Sequence, residues 1–180
     1  DRDWSSDVCS SDLSNFIRVL DELSRDPHSR RAAICILDNG HLNSDTKDYP
    51  CTSYINFHIR DNQLHMYVRM RSQDAIFGMG NDAPAFSLTH ELMWHCLKFK
   101  YSDLVLGLYH HSADSFHVYE RHYAMLDKIL DDPIITVDHH ARCPMMTGVY
   151  LYDELRQVAD VASGPCPPEI LATAEPFIRW

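Results

Sequence analysis

Tyr54-Ile55-Asn56-Phe57-His58-Ile59, the pair Asp61-Asn62, and Leu64-His65-Met66-Tyr67-Val68-Arg69-Met70 follow one another and close on Arg71-Ser72-Gln73-Asp74-Ala75. Apolar and polar residues alternate on both sides of Asp61-Asn62, which predicts two half-buried strands joined by a tight turn. The second strand ends on an arginine, a hydroxyl and a carboxylate. An arginine fork beside a serine hydroxyl suits a phosphate, because the planar guanidinium donates to two oxygens at once.

Upstream, Phe16, Ile17, Val19, Leu20 and Leu23 recur at helical spacing and predict an amphipathic helix over residues 14–25, ended by Asp26-Pro27. Ala32 to Leu37 reads as a short buried strand, with Ser29-Arg30-Arg31 just before it. Residues 38–50 are polar, with Asn39-Gly40 as a turn signal. They lead into Asp48-Tyr49-Pro50-Cys51-Thr52, where a proline fixes the loop from which a cysteine leaves. Taken alone, Cys51 is more simply a core thiol.

Downstream, Pro84 suits the first turn of a helix running to about Lys98, with Phe86, Leu88, Leu92, Met93 and Cys96 available for burial. Leu104 to Tyr109 and Ser115 to Tyr119 read as strands, and Glu120 to Leu130 as a helix stopped before Pro133. A further helix is expected near Leu151 to Ala159, and a short one after Pro168. In Ser115-Phe116-His117-Val118-Tyr119, alternation puts His117 and Tyr119 on one face, where their polar tips can reach a sugar hydroxyl. The order of elements predicts an α+β domain with a mostly antiparallel or mixed sheet and packed helices.

Composition narrows the function. The 180 residues are 45% hydrophobic and 23% charged, as in ordinary globular domains, and no apolar run is long enough to cross a membrane. A net charge of -10 argues against binding polymeric nucleic acid, although a few local arginines suffice for a small phosphorylated substrate. The six cysteines lack the paired spacings of a zinc or redox site and read as reduced thiols of a cytoplasmic protein. No metal site is expected. His90 and His95 are five apart, which turns the second imidazole away from the face a zincin pair must share. Residues 1–13, of which 3–13 are similar to a translated sequencing adapter, read as a disordered, non-native segment before a fragment spanning 14–180.

Arg30-Arg31, Pro50-Cys51, Arg71-Ser72-Gln73-Asp74, Gly78 with Asp82, and His117-Val118-Tyr119 stand in an order and spacing that resemble the thymidylate synthase/dCMP hydroxymethylase family, over residues 24–126. The resemblance implies a thymidylate synthase-like fold. It also implies a reaction in which the Cys51 thiolate adds to C6 of a pyrimidine 5'-monophosphate and C5 attacks the one-carbon unit of 5,10-methylenetetrahydrofolate. A free thiol ionises near pH ~8.5, so the site must favour thiolate, and Arg71 is the natural neighbouring cation. By the same resemblance, Arg71 and Ser72 bind the phosphate, joined by Arg30 and Arg31 from the partner subunit of a homodimer. His117 and Tyr119 hold the sugar, and Asp74 organises water and the folate ring.

Asp82 stands where thymidylate synthases carry Asn. A carboxylate accepts from the exocyclic amino group of cytosine, so the resemblance points to (d)CMP hydroxymethylation. A one-residue shift in register would put Asn81 there and return uracil as the base. The alternatives are thymidylate synthase itself and a non-catalytic nucleotide-binding or dimer-forming domain on the same fold. Three departures from the family stand out, one being that the residues after Ile135 do not resemble the usual synthase C-terminus, which closes over folate. Thr52 replaces the usual His after the cysteine, and the family's N-terminal phosphate loop and glutamate helix have no counterpart.

Overall fold

A computed structural model describes residues 8–37, 39–42, 45 and 49–131, with side chains described from Asn15 onward. The helix expected near Leu151 and everything after Asp131 lie outside the described residues. The chain forms two compact units, Asp1–Leu126 and Asp127–Trp180, and the elements below lie in the first up to Leu126.

The decisive hairpin is present. Strands β2 (Thr52–Arg60) and β3 (Gln63–Met70) pair antiparallel, with Arg60 opposite Gln63. Asp61 and Asn62 both take positive φ, 50° and 61°. Two successive left-handed residues match the strand twist, and Asp and Asn tolerate that region better than most side chains. Alternation then sorts the side chains. Ile55, Phe57 and Ile59 of β2 and Leu64, Met66, Val68 and Met70 of β3 are buried on one face. The other face carries Tyr54, Asn56, His58 and Arg60 beside His65 and Tyr67.

Strand β1 (Ala33–Cys35) joins the far edge of β2, antiparallel. Strand β5 (Val105–Ala113) joins β3 in parallel, giving the order β1-β2-β3-β5. The sheet is therefore mixed, as the sequence predicts. Helices α1 (Val8–Arg25) and α3 (Phe77–Lys98) supply the rest of the core through Val19, Leu23, Met93 and Leu97. Burying one such side chain contributes about 1.5–3 kcal/mol. Tyr101 ties α1 down by donating its hydroxyl to the Leu23 and Ser24 carbonyls, both at 3.0 Å.

Four details differ from the sequence reading. Helix α1 begins at Val8, so residues 8–13 have helical backbone where disorder was expected. Extending a helix already docked at Val19 and Leu23 costs little, because nucleation has been met. Asn39-Gly40 opens a four-residue helix, α2 (Asn39–Leu42), instead of a turn. Helix α3 starts at Phe77, so Pro84 sits in its interior and not in its first turn. An interior proline is ordinarily worth ~3 kcal/mol against a helix. Here the start is fixed locally by the Asp74 carboxylate, which accepts from the backbone N–H groups of Ile76, Phe77 and Gly78. Its buried face is also rotated. His90, Met93 and Leu97 are buried, whereas Leu88, Leu92 and Cys96 are half-buried. His90 makes a 2.8 Å hydrogen bond with the Leu64 carbonyl, and burial holds its imidazole below its ordinary pKa.

Two short strands, β4 (Gln73–Asp74) and β6 (Phe116–His117), pair in parallel just past the ends of β3 and β5. A 3-10 turn (Glu120–His122) and helix α4 (Tyr123–Leu130) follow.

The β3–β5 junction depends on Gly107. A Cβ there would lie 2.6 Å from the Leu64 carbonyl oxygen and 2.8 Å from Nδ1 of His65, where β5 shifts register against β3. Gly107→Ala is therefore expected to destabilise the protein by about 1–3 kcal/mol. Urea denaturation checks this, and an unchanged midpoint would show that the junction yields without cost.

Candidate active site

Cys51 is exposed at the mouth of β2, in the bend after Pro50. Arg71 holds that bend from the end of β3. Its backbone N–H donates to the Cys51 carbonyl at 2.8 Å. Its guanidinium donates through Nε to the Pro50 carbonyl and through Nη2 to the Tyr49 carbonyl, each at 3.0 Å. A fixed positive charge thus stands beside the loop that presents the thiol. A guanidinium has five N–H donors, so this clamp still leaves donors for an anion. Ser72, half-buried, is the next residue.

The chain then turns into β4, and the β4–β6 pairing sets Asp74 opposite His117. The Gln73 N–H donates to Ser115 and the Ala75 N–H to His117, each at 2.8 Å. The His117 and Tyr119 rings meet edge to face with centroids 4.9 Å apart, and the Arg121 guanidinium lies 4.6 Å from the Tyr119 ring centre.

The two carboxylates have separate surroundings. Burial works to raise the pKa of Asp74. The N–H groups of Ile76, Gly78 and Phe77, together with the charge of His122, outweigh it and hold the carboxyl below its usual range. Asp82 lies in the second turn of α3, and its Oδ2 accepts from Nε2 of Gln73 at 2.9 Å. Gln73 is 2% exposed. Its Oε1 faces Nε2 of His111 at 3.0 Å, and Nδ1 of His111 meets the Tyr109 hydroxyl.

The structure therefore gathers Cys51, Arg71, Ser72, Asp74, Asp82, His117 and Tyr119 around the shared ends of β3 and β5. Arg30 and Arg31 lie elsewhere. The Phe57 N–H donates to the Ala32 carbonyl, which sets Arg31 nearly level with His58. That is roughly 20 Å along β2 from Cys51, at ~3.3 Å per residue. Arg31 pairs with Glu22 at 2.9 Å, and Arg30 is exposed. Gln73, His111 and Tyr109 were missed in the sequence. The signal was present, since Gln73 must face away from Ser72 and Asp74 in an extended chain, but its partner Asp82 is set by where α3 begins. Among the described residues no cluster suited to a metal ion occurs. His90 turns to the core, and His95 lies 3.8 Å from Glu91.

A mixed sheet backed by α1 and α3, with an exposed cysteine on a loop whose backbone is clamped by an arginine at one end, fits an α+β fold of the thymidylate synthase type. A solved structure supports this at the level of fold, namely the thermostable thymidylate synthase A from Bacillus subtilis. It has a TM-score of 0.57 and 22% identity, over 66% of this chain and 40% of that one. The family profile described as "Thymidylate synthase" matches residues 2–138, and the chain belongs to that family. Among curated relatives, the deoxyuridylate hydroxymethyltransferase of Bacillus phage SP01 is 32% identical over 133 residues, 68% of this chain and 33% of the relative. The deoxycytidylate 5-hydroxymethyltransferase of Enterobacteria phage T4 is 29% identical over 138 residues, 69% of this chain and 51% of the relative. The chain thus spans a third to a half of the length of these relatives.

Arg71→Met removes the guanidinium and keeps an apolar stem. Charged hydrogen bonds contribute about 1.5–3 kcal/mol each. Affinity for a nucleoside 5'-monophosphate is expected to fall roughly ten- to a hundredfold, with little change for the nucleoside. Calorimetric titration checks both, and equal losses for the two ligands would remove Arg71 from the phosphate.

Proposed function

We propose that this protein transfers a one-carbon unit to C5 of a pyrimidine nucleoside 5'-monophosphate, with Cys51 as the nucleophile that adds to C6. The observation that carries the reading is the exposed Cys51 thiol on a loop clamped by Arg71, with Ser72 next in the chain. Arg71 and Ser72 take the phosphate, and His117 and Tyr119 take the sugar hydroxyl. The thiolate electron pair forms the S–C6 bond, and the displaced π electrons make C5 nucleophilic. When C5 has reacted and lost its proton, the S–C6 bond breaks and the thiolate returns. The clamp fixes the backbone that carries Cys51 and sets a positive charge beside that loop, so the protein contributes mainly positioning and electrostatics.

The one-carbon donor that the family implies is 5,10-methylenetetrahydrofolate, which supplies carbon at the oxidation level of formaldehyde. Residues around Asp74 fit such a group. Phe77, whose N–H donates to the Asp74 carboxylate, is 52% exposed and offers an apolar ring one turn from that acceptor to a flat heterocycle.

Asp82 favours a cytosine base and hence a hydroxymethylase, since a carboxylate accepts from a 4-amino group and opposes a 4-oxo group. An acceptor set against an acceptor in a pocket costs about 1–3 kcal/mol. Relatives of both base preferences are similar to this chain. Tritium release from C5-labelled dCMP and dUMP, on the product of the full reading frame with methylenetetrahydrofolate, tests the assignment. We expect faster release from dCMP and loss of several orders of magnitude for Cys51→Ala, with nucleotide binding kept. Undiminished release by Cys51→Ala would end the nucleophile assignment, and preference for dUMP would end the cytosine assignment in favour of uracil.

We further propose a homodimer in which Arg30 and Arg31 complete the partner's phosphate site. Within one protomer they stand at the wrong end of β2. The outer sheet face exposes Tyr54, Tyr67 and Leu108 at 39%, 38% and 61%, which suits burial against a second copy. Mixing an Arg30/Arg31 double mutant with Cys51→Ala should restore one intact site per heterodimer. No recovered activity, with heterodimers shown to form, would remove the shared site.

A further inference from the structure

Asp82 does not stand alone. A half-buried polar chain, centred on the buried Gln73, runs to it across two strands. The Tyr109 hydroxyl meets Nδ1 of His111, Nε2 of His111 meets Oε1 of Gln73 at 3.0 Å, and Nε2 of Gln73 meets Oδ2 of Asp82 at 2.9 Å. Tyr109 and His111 are two apart on β5 and so share a face. Gln73 is held on β4 by its backbone bond to Ser115. Gly78 makes room for the amide, because a Cβ there would lie 2.8 Å from Nε2 of Gln73.

The donors in this chain all point one way. A carboxylate only accepts, so the Gln73 amide must present its NH2 to Asp82 and its oxygen to His111. His111 must then carry its proton on Nε2 and accept the Tyr109 hydroxyl at Nδ1. Burial keeps the imidazole neutral by lowering its pKa, against the opposite pull of Asp82. Burial and the Asp82 charge push the Tyr109 hydroxyl up to about 12, so it remains a donor. Reversing the chain needs every member changed together: a protonated Asp82, a flipped amide and the other imidazole tautomer. Chains of this kind are cooperative, and a half-reversed one leaves a buried donor or acceptor unpaired.

We propose that Gln73, backed by His111 and Tyr109, is the positioning residue that locks Asp82 as a hydrogen-bond acceptor and so sets the preference for a 4-amino over a 4-oxo pyrimidine. Oδ2 is tied to the amide, and Oδ1 is the oxygen that meets the base. The inference rests on the reading of Asp82 as the residue facing the base, and the test separates the two.

The experiment measures dissociation constants of dCMP, dUMP and 2-deoxyribose 5-phosphate by calorimetry on the product of the full reading frame, with Asp82→Asn, Gln73→Met, Gln73→Glu and Tyr109→Phe variants. Wild type is expected to favour dCMP. Gln73→Met and Gln73→Glu are close to glutamine in size, yet each should cut the dCMP/dUMP ratio by about tenfold and leave the sugar phosphate unaffected, which a packing role would not do. Tyr109→Phe should cut the ratio by about two- to threefold and shift His111 away from the Nε2–H tautomer in nitrogen-15 spectra. A ratio that responds to Asp82→Asn but to neither Gln73 variant overturns the role of Gln73 alone. A ratio unmoved by Asp82→Asn overturns the reading of Asp82, and this inference with it. Where the Gln73 variants fail to fold, Tyr109→Phe decides: unchanged ratio and unchanged tautomer overturn the relay.

Discussion

Strand β3 must satisfy two neighbours at once, antiparallel β2 on one side and parallel β5 on the other. A central strand with both edges paired cannot slip by one residue without turning its whole apolar set outward. Leu64, Met66, Val68 and Met70 are all buried, so the register is pinned by four side chains. Everything at the end of β3 inherits that precision. Arg71 follows the last of the four and is delivered to the Cys51 loop, while Gln73 and Asp74 are delivered to β6.

Parallel pairing of β3 with β5 needs a long crossover, and helix α3 provides it. The helix therefore has two tasks. Its second half buries His90, Met93 and Leu97 against the sheet. Its first half rises from the Asp74 carboxylate and carries Asp82 to the Gln73 amide. An interior proline is tolerated because the start of the helix is anchored by a charge-assisted cap and its end by the core.

The two aspartates illustrate how environment divides a single residue type. Asp74 spends its oxygens on the N-terminus of α3, which favours its ionised form. Asp82 has one oxygen tied to a buried amide whose far end is fixed by an imidazole and a phenol. The first arrangement builds the helix. The second holds a carboxylate in a set orientation, as a site that distinguishes donors from acceptors requires.

The sequence by itself determined the strands and the turn, because period-two alternation around Asp61-Asn62 is a local signal that the core only confirms. It also determined the family, since Pro50-Cys51, Arg71-Ser72-Gln73-Asp74 and His117-Val118-Tyr119 keep their order and spacing whatever the loops do. The start of α3 lies at Phe77 and not near Pro84, because Asp74 caps the N–H groups two to four residues on, a local effect that the first-turn preference of proline does not reveal. The helical backbone of residues 8–13 was misread for a different reason, as it continues from packing further along α1. Tertiary structure alone decided that Arg30 and Arg31 stand some 20 Å from Cys51 along β2, and that Gln73 meets Asp82, His111 and Tyr109. Those contacts join residues distant in the chain across strand pairings, and no short-range pattern records which of two faces a buried amide will turn to.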